Sequence, residues 1–335
     1  MRILVTGFAG FVGRRFVRRL SQDHKVVCVD NLFSGQAVED WLFQPNLQNC
    51  QFHYQDAQSW FRGTNASTFD LVIHCAAIVG GRRIIDGDPL LIATNLALDS
   101  EFFNWVTHER NRFGLIERSK KMPKVIYFSS SAVYPAELQT ERNNMLLNEK
   151  LVDFSTNRFS LPEASYGFCK LAGEYLAKLA VEHYGLDVAI YRPFGGYGED
   201  QSLDYPLPSI VRRVVAKENP ITIWGSGNQQ RDFIYIEDVV DAVLATYQKL
   251  PSGEAVNLGT GLGYSFFDLA EFAADIEGYD GLVRNDPSKP EGVFRRVSDA
   301  HKLSQWYEPK TMLKDGLRLV AEHIKQRLTA AKKAM

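Results

Sequence analysis

The chain has 335 residues, 45% of them hydrophobic and 23% charged, the balance of an ordinary globular protein, which excludes disordered, collagen-like and coiled-coil classes. That length suits two domains, or one large α/β unit with an appendage. With 38 Lys plus Arg against 40 Asp plus Glu the formal charge is -2, so no chain-wide basic field exists to hold a nucleic acid, and no apolar run nears the roughly 20 residues of a membrane span.

In chain order, residues 2–6 form a β-branched run, 11–20 an amphipathic stretch and 25–29 a second apolar run, the order of a βαβ unit. The apolar stretch 3–13 is followed at once by Arg14, Arg15, Arg18 and Arg19 with no small-residue cleavage site, so it reads as strand and turn and not as a signal segment. Strand-like runs continue at 69–74, 124–128 and 188–192, separated by helical stretches at 95–109 and 166–184. Continuous apolar strands between helices predict an α/β fold, a doubly wound parallel (Rossmann) sheet covered on both faces.

After Pro193 the texture changes, with more Gly and Pro, strand-like runs at 221–224 and 255–258, and helices near 239–250 and 267–277. The domain reading is therefore 1–193, with parts of 225–260, for a cofactor-binding domain, and mainly 194–330 for a smaller substrate-binding lobe. A basic helix at 311–333 reads as a solvated surface element. Two connections are long, 110–123 and 136–163, and the second leads into the helix from Tyr166 as a candidate substrate-covering loop. Cys28, Cys50, Cys75 and Cys169 stand far apart with no C-x-x-C pair or His cluster, which predicts no metal site, no disulfide framework and a reducing, cytoplasmic compartment.

Gly7-Phe8-Ala9-Gly10-Phe11-Val12-Gly13 lies between the first strand and the first helix. Glycines there permit a tight turn and a close backbone approach to a pyrophosphate, to which the helix N-terminus offers N–H groups. Asp30 ends the second strand, where a carboxylate accepts from the adenosine ribose hydroxyls and repels a 2′-phosphate, selecting NAD over NADP. Asp56 follows the next short strand, within reach of the adenine edge.

Tyr166 and Lys170 stand one helical turn apart, and Ser129, Ser130 and Ser131 follow the strand at 124–128, where a doubly wound sheet opens its active crevice. A hydride leaves an alcohol carbon only if the hydroxyl proton leaves too, so a nicotinamide enzyme needs a base. A lysine charge some 6 Å away at an effective dielectric near 20 favours the phenolate by roughly 2 to 3 kcal/mol, about two pKa units, which brings Tyr166 into working range.

These residues make the chain similar to the extended short-chain dehydrogenase/reductases of the nucleotide-sugar epimerase/dehydratase type. The match includes Gly7-x-x-Gly10-x-x-Gly13, Asp30-Asn31-Leu32, His74-Cys75-Ala76-Ala77, Asn95-Leu96, Ser129 to Tyr134, Tyr166-x-x-x-Lys170, Tyr191-Arg192-Pro193, Arg231-Asp232-Phe233-Ile234 and Val256-Asn257-Leu258-Gly259. Val79-Gly80-Gly81, Tyr134-Pro135, Trp224-Gly225-Ser226-Gly227 and Lys289-Pro290-Glu291-Gly292, followed by Arg295 and Asp299, resemble the GDP-fucose synthase / GDP-mannose 3,5-epimerase branch.

The resemblance implies a tightly held NAD contacted by Gly7, Phe8, Gly10, Phe11, Val12, Gly13, Asp30, Asn31, Leu32, Asp56, Ala57, Ala76, Ala77, Asn95, Tyr166, Lys170 and Pro193, with Ser130, Tyr166 and Lys170 catalytic. It also implies a nucleoside-diphosphate sugar against Val79, Gly80, Gly81, Ser131, Arg231 and Arg295, the two arginines facing the diphosphate. Ala132 stands where that branch carries a cysteine, Tyr205 approximately where it carries a histidine, Ser131 and Ala132 where dehydratases carry Asp-Glu, and Gly195 where an asparagine is usual. The implied activity is therefore NAD-dependent epimerisation through transient oxidation at the sugar C4. A 4-keto nucleotide-sugar reductase or C4 dehydrogenase is the alternative, and a catalytically silent NAD-binding regulator the reading from a different class.

Apolar residues on more than one face of the stretches 95–109 and 166–184, among them Phe102, Phe103, Trp105, Leu171, Tyr175, Leu179 and Val181, and the four-helix pairing of relatives imply a homodimer.

Overall fold

The computed structural model describes residues 1–110, 115–156 and 160–334. Residues 111–114 and 157–159, inside the two long connections, lie outside the described residues. The first half runs β1 (Arg2–Thr6), α1 (Gly13–Leu20), β2 (Lys25–Asp30), β3 (Cys50–Tyr54), α2 (Ala57–Arg62), β4 (Leu71–His74), α3 (Arg82–Gly87), α4 (Pro89–Thr107), the short pair β5 (His108–Arg110) and β6 (Ile116–Arg118), β7 (Lys124–Phe128), α5 (Ser165–Tyr184) and β8 (Val188–Pro193). The second half runs β9 (Gly195–Tyr197), α6 (Pro206–Val215), β10 (Ile221–Trp224), β11 (Gln230–Tyr235), α7 (Ile236–Thr246), β12 (Ala255–Leu258), β13 (Gly263–Ser265), α8 (Phe266–Glu277), β14 (Val283–Asp286), β15 (Arg295–Arg296), α9 (His301–Ser304) and α10 (Leu313–Ala334).

Seven strands form a parallel sheet in the order β12-β8-β7-β4-β1-β2-β3. Its central strands are apolar throughout because both faces are covered: Ile3 and Val5 of β1 pack in one layer with Phe16 and Val17 of α1 and Val239 and Val243 of α7, while Leu4 packs in the other with Phe102 of α4 and Ala177 of α5. Burying each such large side chain contributes about 1.5–3 kcal/mol. The chain leaves the sheet at Pro193 and returns as β12, whose Ala255 pairs with Ile190 of β8. Between and after these points β11 pairs with β9, β13 and β15, β10 pairs with β14, and α6 packs against α8 and α10.

Helix ends differ from the periodicity reading. The stretch at 95–109 starts at Pro89, because Asp88 accepts the Leu91 N–H at 3.0 Å as N-cap and proline at the first helical position keeps no orphan donor. The C-terminal helix is not simply solvated. Leu313, Leu317, Val320, Ala321 and Ile324 form a buried stripe at helical spacing, which the surrounding charge obscured.

Candidate active site

Strand order reverses where β1 lies between β4 and β2, so the helices on either side leave a crevice at the C-terminal strand ends. A cleft of about 820 Å³ opens there, at the large end of the range for ligand sites. Gly7 holds φ +70°, and a Cβ on it would stand 2.6 Å from the Ala76 nitrogen, so only glycine lets the first turn pass against β4. Gly10, Phe11, Val12 and Gly13 line the cleft at the start of α1. Phe8 does not: its ring is buried against Trp41, Phe52 and Tyr54.

Asp30 lines the cleft with Asn31, its carboxylate accepting the Ala9 N–H at 3.1 Å and the Leu32 N–H at 2.7 Å. Burial pushes this carboxyl up, and the two backbone bonds oppose that shift. Leu32 itself is off the lining and holds φ 59° at the turn. Asp56 and Ala57 line the cleft, and one Asp56 oxygen caps α2 through the Ser59 N–H at 3.0 Å. Ala76, Ala77, Val79 and Gly80 form the facing wall. Asn95 braces that wall, exchanging 2.8 Å hydrogen bonds with the Ile78 N–H and carbonyl.

Tyr166 and Ser130 both line the cleft, and the Ser130 hydroxyl favours the ionised form of the phenol. A Cβ at Gly167 would overlap the Ala132 carbonyl, so this glycine lets the start of α5 meet the turn after β7. Ser130 Oγ accepts the Ala132 N–H at 3.1 Å and so caps that turn. Arg192 on β8 holds Glu174 through two bonds of 2.6 and 2.8 Å, and Ser129 donates to the same carboxylate at 2.5 Å, which ties β8, α5 and the serine run together. Ser131 and Pro193 complete this part of the lining.

The expected lowering of the Tyr166 pKa does not appear. Burial pushes the phenol up, and Tyr205 and Asp99 add to the shift, against the Ser130 hydrogen bond. The reason lies behind the lysine: Lys170 is buried off the cleft, its Nζ 3.7 Å from Asp99 Oδ2, so its charge is already met. The sequence reading missed Asp99, whose partners come from distant parts of the chain. Tyr205 lines the cleft beside α6, with its phenol pushed up to about 12 by burial and then by Asp204.

On the substrate side, Arg231 lines the cleft while donating to the carbonyls of Gln230 at 2.8 Å, Val293 at 2.8 Å and Phe294 at 3.3 Å. Gly81 is off the lining, packed on the Asp204 carbonyl at the start of α3. Arg295 is off it too, turned onto the Gln230 side-chain oxygen. Arg296 takes the lining position, its Nε 2.6 Å from Gln139 Oε1 and an Nη 3.0 Å from Glu163 Oε2. Successive residues of a strand point to opposite faces, so within β15 a one-residue difference exchanges the inward arginine. Among the described residues no group of three His, Cys, Asp or Glu is placed to hold a metal ion, and no helix is long and apolar enough to cross a membrane.

The sequence profile of the NAD dependent epimerase/dehydratase family matches residues 3–259, and the chain belongs to that family. It is 28% identical over 326 residues to the uncharacterized UDP-glucose epimerase YtcB of Bacillus subtilis (strain 168), with 95% of this chain and 96% of the relative covered. A GDP-L-fucose synthase of Sinorhizobium fredii (strain NBRC 101917 / NGR234) is also 28% identical, across 94% of this chain and 93% of its own length. The crystal structure of UDP-glucuronic acid 4-epimerase from Bacillus cereus, in complex with UDP-glucuronic acid and NAD, matches with a TM-score of 0.78 at 26% identity, covering 98% of this chain and 100% of that one.

The chain is thus a member of an NAD-dependent family of epimerases and dehydratases, with the doubly wound fold expected. Its residues fit the cofactor: the α1 N-terminus opens on the cleft for a pyrophosphate, Asp30 offers carboxylate oxygens to a ribose, and Ala76 and Ala77 leave room beside β4.

Proposed function

We propose that this chain interconverts the C4 epimers of a nucleoside-diphosphate sugar, with Ser130, Tyr166 and Lys170 as its catalytic residues. Bound NAD would supply the hydride acceptor for C4. Tyr166 receives the C4 hydroxyl proton and later gives it back, Ser130 holds the same oxygen in line, and Lys170, paired with Asp99, stands one helical turn from the phenol. Arg231 and Arg296, with Val79, Gly80 and Ser131, hold the sugar nucleotide, and residues 194–330 form most of that lobe around the domain of 1–193. Arg295, assigned a diphosphate contact from the sequence, is turned instead onto the Gln230 side-chain oxygen.

The observation that carries this reading is that Tyr166 and Ser130 line one cleft together with Ala132 and Tyr205. A 3,5-epimerase needs a second acid/base at such positions, and the alanine at 132 carries no titratable group to supply one. The similarity to a GDP-L-fucose synthase favours a 4-keto nucleotide-sugar reductase as the second reading. Incubation with UDP-, GDP-, CDP- and dTDP-sugars, with products and bound cofactor read by mass spectrometry and NMR, separates the two: the epimerase returns a C4 epimer with its NAD retained, whereas the reductase exchanges cofactor each turnover.

We also propose a homodimer across α4 and α5. Phe102, Phe103, Trp105 and Leu171 are spent on the chain's own core, which leaves Leu90, Phe168 and Tyr175 as the exposed apolar residues of these helices. Four free cysteines, two of them buried, support a cytoplasmic setting.

A further inference from the structure

Behind the cleft, side chains from three elements converge on one buried carboxylate of a fourth. Asp99 of α4 accepts the Tyr127 hydroxyl of β7 at 2.5 Å on Oδ2, and its Oδ1 lies 3.2 Å from Nε2 of His74 at the end of β4. The Lys170 ammonium of α5 is 3.7 Å from Oδ2 and 4.9 Å from the centre of the Tyr127 ring. Asp99 is 1% exposed and Lys170 2%.

The proton positions follow from what each group accepts. A carboxylate only accepts, so His74 Nε2 carries the proton and donates it, while Nδ1 accepts the Thr6 hydroxyl at 2.7 Å. Burial holds His74 neutral, outweighing the pull of Asp99. Burial also works against ionisation of Asp99, but the Lys170 charge and the His74 and Tyr127 bonds prevail and keep its carboxyl below the usual range. The backbone makes room for this cluster: a Cβ at Gly173 would overlap the Tyr127 hydroxyl and crowd Asp99 Oδ2, and α5 carries no side chain there.

We propose that Asp99 is a positioning residue of the active site, a buried counter-ion that fixes the Lys170 ammonium one helical turn from Tyr166 and offsets part of its charge there. The inference rests on the reading of Tyr166 as the proton acceptor. A lone buried ammonium would draw the phenol toward phenolate, whereas an ammonium paired with a carboxylate presents a dipole, whose influence falls faster with distance. The tyrosine base is tuned by an ion pair and not by a single lysine. Ser130, Cys169, Asp99 and Tyr205 act on Tyr166, with Lys170 one helical turn away on α5, and burial, Tyr205, Asp99 and Cys169 all favour its neutral form. Beyond the cluster itself, Glu174 acts on Tyr127, and Cys75 lies close enough to Lys170 to feel its charge.

A 13C NMR titration of protein labelled at the tyrosine ζ-carbon and saturated with NAD tests this, the Tyr166 signal being the one absent from Tyr166→Phe. In Asp99→Asn the phenolate fraction of Tyr166 near pH 10 rises several-fold over the parent, because one unit charge several ångströms away at an effective dielectric near 20 moves the midpoint down by about one pH unit. Asp99→Ser removes the same charge and gives the same direction. An equal or smaller phenolate fraction in these variants, or loss of the folded state in both, overturns the inference and makes Asp99 a structural residue. The titration does not depend on turnover, so a near-normal rate in Tyr166→Phe would sink the base assignment separately.

Discussion

Tyr166 is a half-buried phenol in the same cleft lining as Ser130 and stands one helical turn from a lysine already paired with Asp99. If it is the proton acceptor, Tyr166→Phe deletes the acceptor with little change of volume. Turnover then falls by roughly 10²–10⁴-fold while NAD stays bound, as rate assays and cofactor analysis of the purified variant will show. We propose Asp30 as the carrier of the cofactor preference at the same scale: its carboxylate is fixed by the Ala9 and Leu32 N–H groups and would meet a 2′-phosphate with like charge. Calorimetric titration of stripped protein is expected to give tighter NAD than NADP binding, and the reverse order would remove Asp30 from that role. The sequence shows both residues plainly because strand ends and helical spacing are local properties. Asp99 and Arg296 were illegible for the opposite reason: their partners lie at His74, Tyr127 and Lys170, and at Gln139 and Glu163, and nothing local signals those approaches.

At the scale of elements, the site depends on how closely α5 approaches the turn after β7. Gly167 permits that approach, and a methyl group there must displace the Ala132 carbonyl. Gly167→Ala therefore separates Tyr166 from Ser130, and kcat drops by roughly 10²-fold, the cost of an ångström-scale misplacement, with the fold retained by circular dichroism. An unchanged kcat would mean that the turn relaxes freely. The parallel sheet was legible element by element, since strands buried on both faces must be continuously apolar. The start of α4 was not, because Asp88 and Pro89 set it through capping and not through periodicity. The core role of α10 was hidden as well: its stripe from Leu313 to Ile324 is interleaved with Lys314, Asp315, Arg318 and Glu322, so the average looks polar while one face is buried.

For the molecule as a whole, buried phenols set an alkaline limit to stability. Burial pushes Tyr134 and Tyr205 up to about 12, while in the unfolded chain a tyrosine ionises near 10. Between those values the folded state binds more protons than the unfolded one, so stability is fully present below about pH 10 and falls as pH rises toward 12. Thermal melts should show a Tm constant from about pH 8 to 9 and declining above 10, and a Tm that holds to pH 12 would show that these phenols ionise without cost. All of these features serve one chemical claim, that the hydrogen inverted at C4 travels as a hydride and never exchanges with solvent. The direct measurement is turnover in D₂O of whichever nucleotide sugar the enzyme accepts, with the product read by NMR. The product is expected to be the C4 epimer without carbon-bound deuterium; stoichiometric deuterium at C3 or C5 would contradict the claim and point to acid/base groups such as Glu137, Glu141, Glu149 or Asp153 in the connection before α5.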